Sequence, residues 1–180
     1  VSTDLKQGVQ KAIEILGNEV IWHRRKQAKQ GVFDKPELAA ELARECITYM
    51  YRLLFLFYVE ARGGEVEAVP VKSDAYRMGL SLERLRELEL VPLHGDKARN
   101  GNYIQQSLDQ LFRVIHLGWP TSRQANIAQQ VGASVDLRVL PQRSPLFDPK
   151  RTPLISAAKL RNIELQRIIR LLSLSKEGAR

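Results

Sequence analysis

The residues best suited to chemistry in this sequence are cations. His23-Arg24-Arg25-Lys26, with Lys29 three positions on, carries a local charge of +4, no acid lies between Val20 and Gly31, and Trp22 stands beside the group. A second concentration lies near the C-terminus. From Leu137 to Arg180 ten Lys or Arg face only Asp148, Glu164 and Glu177, a net +7. At ~100° per residue along one helix, Lys159, Gln166, Arg167 and Arg170 share an arc of roughly 100°. Leu160, Leu165, Ile168, Ile169, Leu171 and Leu172 fall opposite. One face would pack and the other would present donors, which can follow phosphates without reading bases. An acidic protein partner would suit the same face.

Catalytic patterns are scarce. The sequence holds no G-x-G-x-x-G, no Walker A loop, no G-x-S-x-G and no H-E-x-x-H. His23, His94 and His116 are far apart, so no metal site is expected. Cys46 is the only cysteine, which excludes an internal disulfide framework and suits a reducing, cytoplasmic setting. It lies in an apolar run and reads as a small buried hydrophobe rather than a nucleophile. No catalytic site of the chain's own is expected.

The most unusual position is Arg52, in the stretch CITYMYRLLFLFYVEAR, residues 46–62. A membrane helix needs ~20 apolar residues. Here Cys46 to Val59 is 14 residues with Thr48 and Arg52 inside, so the stretch reads as a core helix surrounded by others. Glu41, Glu45, Thr48 and Arg52 lie on one helical stripe. A buried guanidinium has to be paired. The expectation is a structural ion pair of Arg52 with Glu45 or Glu60, or a carbonyl acceptor from another helix, with a direct role toward DNA or a cofactor as the alternative.

The elements that must position these groups are helical. The chain has 180 residues, a net charge of +8 and a pI of about 9.8, enough for one domain with a real core and basic enough to favour polyanions. It starts without methionine and without a signal peptide, as a processed chain or a piece of a longer one would. Leu5, Val9, Ala12, Ile13 and Leu16 predict a helix over 3–16, ended at Gly17-Asn18. Asp34, Pro36 and Glu37 form a start signal for a long helix from Lys35 to Arg62, stopped by Gly63-Gly64. Residues 65–80 read as irregular, Ser81 caps a short helix, and 94–102 read as a polar loop. A helix over 103–117 ends at Gly118-Trp119-Pro120, and Thr121 with Gln124 opens another. Val135–Leu140 is the one strand candidate. Prolines 141, 145, 149 and 153 make an ordered tether over the surface before a last helix from Thr152-Pro153 to about Ser175.

The sum is a mostly α fold: an irregular helical bundle around a long apolar central helix. Residues 1–140 form the bundle, and 141–180 the proline-rich tether and a basic C-terminal helix packed on it, within one domain.

Four stretches in order carry a resemblance. YRLLFLFYVEAR resembles the Tyr-Arg-Leu-Leu-Phe-Leu-(x)2-Ala-Glu-Asp-Arg segment of large bacterial adenine-specific DNA methyltransferases of the fused restriction–modification and phage-defence type. ILGNEVIWH is similar to that family's Leu-Gly-Asn-Gly-Phe-Leu segment, YRMGLSLERLREL to its Tyr-Ser-Leu-x-Arg-Leu-Arg segment, and PLFDPKRTPLI to its Gly-Gly-Leu-Phe-Asp-Pro stretch, with LQRIIRLLSLS following. The likeness spans about residues 13–175. Val59-Glu60-Ala61-Arg62 departs by one acid, Ser144-Pro145 stands for a Gly pair, and Glu19 stands for a Gly.

In that family such a region precedes the methyltransferase domain, which holds the S-adenosylmethionine loop and an Asn-Pro-Pro-Tyr/Phe motif. This sequence has no Asn-Pro pair. The resemblance therefore implies a helical connector, part of a longer enzyme, that carries no cofactor itself. Double-stranded DNA and the methyltransferase domain of the parent chain are the expected partners, and no membrane is. The expected DNA-contacting residues are His23, Arg24, Arg25, Lys26, Lys29, Lys159, Arg167 and Arg170. A scaffold that meets only protein is the alternative.

Overall fold

A computed structural model describes residues 3–26, 29, 35–88, 91–132, 137–142 and 144–177, with side chains as far as 173. The fold is mostly α, and among the described residues β structure is limited to a single bridge. Helix α1, Thr3–Lys26, runs unbroken through Gly17-Asn18, where an end was expected. The stripe of Ala12, Leu16, Glu19 and Val20 stays buried across that point. A Cβ on Gly17 would sit 3.9 Å from Cys46 Sγ, so the glycine faces a neighbouring helix. Packing outweighs the ~1 kcal/mol that glycine costs a helix interior.

Helix α2, Pro36–Ala61, matches the expected long helix. Its predicted cap, Asp34, lies outside the described residues. Leu42, Cys46, Tyr49, Met50, Leu53, Leu56, Phe57 and Val59 enter the core. The helix is not enclosed on all sides as expected, because Ile47, Tyr51 and Tyr58 are exposed.

Two short helices occupy stretches read as irregular. Helix α3, Asp74–Gly79, starts where Ser73 Oγ accepts from the Tyr76 amide. After α4, Leu82–Leu88, helix α5, Asp96–Asn100, takes up part of the expected polar loop. Helix α6, Tyr103–Leu117, matches its expected span. It stops at Gly118, whose φ of +77° and approach to Val139 O leave no room for a Cβ. Helix α7, Ser122–Gln130, opens with Gln124 Oε1 accepting from the Thr121 amide, as the capping box required.

The strand expected at 135–140 is reduced, within the described residues, to an antiparallel bridge in which Val139 and Trp119 exchange amide bonds of 2.8 Å. The proline-rich segment forms two 3-10 turns, Pro145–Phe147 and Pro149–Arg151. The segment is an ordered strap, as expected, but it also enters the core, since Phe147 is buried against Phe55 and Phe112.

The last helix is two helices, α8, Pro153–Ala157, and α9, Asn162–Glu177. Between them Ala158 and Leu160 turn into the core. Gln105 of α6 holds the break, donating to Ala158 O at 2.8 Å and accepting from the Leu160 amide at 2.8 Å. A continuous helix would lose both bonds. One core joins residues of α1, α2, α4, α6, the strap, α8 and α9. No helix among the described residues is long and apolar enough to cross a membrane.

Candidate nucleic-acid interface

Helices α1 and α9 pack antiparallel. The Gly8 position meets the Leu171 carbonyl, where a Cβ would stand 2.9 Å away, and Glu19 near the other end of α1 meets Arg161 just before α9. The C-terminal turn of α1 therefore shares one end of the molecule with residues 159–161. His23 and Arg24 are half-buried there, and Arg25 and Lys26 are exposed. Lys29 and Lys159 are exposed as well. His23 Nδ1 and Arg24 Nε are shielded without a hydrogen-bond partner among the described residues.

The single cationic arc expected on the last helix does not form. Lys159 precedes α9 and lies off its surface lattice, because the chain breaks at 158–161. Gln166 donates to Leu88 O at 3.0 Å and Val91 O at 3.2 Å, tying down the chain after α4. Arg167 and Arg170 remain exposed, about 9 and 13 Å along the helix from Arg161 at ~1.5 Å per residue. Arg167 is already paired, its Nη1 donating to Glu164 Oε2 at 2.8 Å.

Sequence reading missed the centre of this end, Arg161. Its guanidinium donates from Nε and Nη2 to the two Glu19 oxygens, at 2.8 and 2.9 Å, and stacks 4.2 Å from the Trp22 ring centroid. Glu19 is 3% exposed, and its bidentate acceptance drives the Arg161 pKa up. Glu19 and Trp22 stand three apart on α1, so one cation is gripped by a carboxylate and an aromatic face together. The spacing of Glu19 and Trp22 was legible, but their partner 142 residues away was not. The fixed guanidinium anchors α9 to α1, and the exposed lysines and arginines around it supply the positive surface.

The ion pair expected for Arg52 is not formed. Arg52 is 2% exposed, and Nε donates to Leu146 O at 2.6 Å, Nη2 to Asp148 O at 2.9 Å and Nη1 to Thr152 Oγ1 at 3.0 Å. The fork goes to carbonyls of the proline-rich strap, where a carbonyl of another helix was the expected alternative. Burial lowers its pKa, though nearby Asp109, Asp148 and Glu45 oppose that.

The two acids expected beside it serve other elements. Glu45 accepts from the Leu154 and Ile155 amides at 3.1 and 3.0 Å, capping α8. Glu60 accepts from the Leu82 and Glu83 amides, both at 2.8 Å, and from the Tyr76 hydroxyl at 2.8 Å, capping α4. Unpaired N–H groups at helix starts offer better partners than a guanidinium two turns away on the same helix. Burial raises the pKa of both acids and pushes the Cys46 thiol up to about 12.

Among the described residues no three His, Cys, Asp or Glu converge as metal donors. No family model, curated protein or solved structure matches the chain.

Proposed function

We propose that this chain is a DNA-facing helical connector of an adenine-specific DNA methyltransferase from a restriction–modification or phage-defence system, working in the cytoplasm. The observation that carries this reading is the antiparallel α1–α9 pairing, which gathers the α1 terminal cations and Lys159 at one end. The net charge of +8 and the four-stretch resemblance support it. Exposed lysines and arginines would lie along phosphates, and Trp22–Arg161 would hold the two helices in fixed relation beneath them. Methyl transfer, S-adenosylmethionine binding and base flipping would belong to the separate catalytic domain that the connector braces.

A salt titration with duplex DNA tests this. Log K should fall by ~0.9 per log unit of salt for each phosphate neutralised. The double variant Lys26→Ala, Lys159→Ala should flatten that slope by roughly 1.8. No binding at low salt would overturn the reading. The second reading, a protein scaffold without DNA contact, is favoured by the prior pairing of Arg161 with Glu19 and of Arg167 with Glu164, which removes part of the positive surface.

A further inference from the structure

Helix α7 buries none of its residues, and the core takes no described residue between Ile115 and Leu137. Its start is nevertheless firmly placed. Trp119 and Val139 exchange amide bonds of 2.8 Å, and Gln124 Oε1 accepts from the Thr121 amide at 2.9 Å and from the Thr121 hydroxyl at 2.8 Å. Gln124 and Ala128 are half-buried. At ~100° per residue, Ser122, Arg123, Asn126, Gln129 and Gln130 fall on the opposite side, within an arc of roughly 120°. All five are exposed.

The chemistry of that arc selects its occupant. Other exposed helix faces of the chain are built from charges, as with Lys6, Lys11 and Glu14 on α1. From Leu117 to Val135 Arg123 is the only ionised side chain, and no carboxylate pairs with it among the described residues. Each amide offers an acceptor beside two donors, and the guanidinium a fixed fork of donors. Base edges in the major groove of DNA match them: Asn or Gln pairs with adenine, and Arg with guanine. Nine residues of helix span ~13.5 Å, about four base-pair steps, and a helix fits the ~12 Å major groove. The major groove of an RNA duplex is too narrow for side chains to read. A protein partner would need an aromatic or aliphatic anchor at the centre of the face. The arc has none, because Ile127 and Val131, 49% and 70% exposed, lie beyond its Arg123 edge.

Helix α6 sets the distance from this face to the cationic end of the molecule. Its first turn is tied to residues 158–160 by Gln105, and its 15 residues run ~21 Å before the turn into α7. One turn of duplex, ~34 Å, covers that span. We propose that the outer face of α7 enters the major groove of duplex DNA and chooses sequence there. Asn126, Gln129 and Gln130 meet adenine edges and Arg123 a guanine edge, while the α1 cations and Lys159 hold phosphates. Such readout rests on the DNA-contacting reading and adds sequence choice to it.

The test uses the full chain and a pool of DNA duplexes randomised over about one helical turn. Repeated retention on the chain, followed by sequencing, enriches a block of about three or four consecutive base pairs. In fluorescence anisotropy the enriched duplex binds at least about tenfold tighter than the unselected pool. The double variant Asn126→Ala, Gln129→Ala removes no charge and adds two strong helix formers. It cuts that preference at least about fivefold, while its far-UV spectrum, its affinity for the pool at low salt and its slope of log K against log salt stay unchanged. Three results overturn the proposal and leave the DNA-contacting reading standing: a pool that binds without enrichment, a preference that survives the double variant, or a double variant that loses pool affinity together with the preference. An RNA duplex of the enriched sequence that competes as well as the DNA also overturns it, since the major groove would then not be the site. No duplex binding even at low salt overturns both.

Discussion

Arg52 holds the strap to α2 by geometry rather than by charge alone, and substitution separates the two. Its three donor atoms reach three acceptors spread over Leu146, Asp148 and Thr152, at 2.6, 2.9 and 3.0 Å. Arg52→Met fills most of the volume, so little cavity cost arises. It leaves the Leu146 carbonyl and the Thr152 hydroxyl without this donor, at roughly 1 kcal/mol or more each, while the Asp148 carbonyl keeps the Arg151 amide at 3.1 Å. Relief from burying a cation offsets part of that. The net expectation is a loss of about 1–3 kcal/mol. Arg52→Lys keeps the buried charge but replaces the planar fork with a compact ammonium that cannot span all three acceptors. It should cost at least as much as Arg52→Met. Urea unfolding gives both values, and for a chain this size each kcal/mol shifts the melting temperature by ~2–4 °C. Trypsin cleavage after Lys150 or Arg151 should accelerate in both variants as the strap opens. A lysine variant milder than the methionine variant by more than about 1 kcal/mol would refute the reasoning, since charge and not the fork would then hold the strap.

Gly8 and Gly17 should respond oppositely to alanine. Gly8→Ala drives a Cβ to 2.9 Å from the Leu171 carbonyl and should destabilise by ~1–3 kcal/mol, whereas Gly17→Ala meets only Cys46 Sγ at 3.9 Å and should gain up to ~1 kcal/mol in urea unfolding. Glu60→Ala removes the acceptor for two α4 amides and the Tyr76 hydroxyl, and should cost ~1–3 kcal/mol, read by thermal melting. Asp109 is an exposed residue of α6, yet the packing around its carboxyl on the Arg52 side pushes its pKa up, to about 6, through loss of hydration and against the pull of Arg52. A carboxyl whose pKa is raised on folding binds its proton more tightly when folded, so its contribution to stability is lost as pH rises from about 4 to about 6. The stability of Asp109→Asn relative to the parent should therefore climb across that window in urea midpoints, and a flat difference would contradict the raised carboxyl.

The bounds of α6 were legible because local signals agree. Ile104, Leu108, Leu111, Phe112 and Ile115 keep helical spacing, and Gly118 ends the run. The errors arise where a distant partner decides. Gly17-Asn18 looks like an end until α2 and α9 pack across it. Residues 158–161 look helical until Gln105 of α6 takes their amide and carbonyl. The cations of the candidate interface were visible one by one. What was not visible is that Glu19 claims Arg161 from the far end of the chain, and that the break before α9 takes Lys159 away from Arg167 and Arg170.

The buried charges of α2 explain why the pairing read from that helix failed. Glu45, Arg52 and Glu60 could have neutralised one another in pairs, but each instead bonds to backbone groups of another element. Glu60 covers the amides that open α4, Glu45 covers those that open α8, and Arg52 covers carbonyls of the turns between. Unpaired amides at helix starts attract carboxylates and the carbonyls of the strap attract a guanidinium, so the sign of each side chain matches the end of the backbone dipole it meets. The segments so held are short: α4 is seven residues, α8 is five, and the 3-10 turns are three each. Helices of that length do not persist alone in water. Their order is therefore borrowed from α2, and that explains why Glu45, Arg52 and Glu60 are turned toward the other elements.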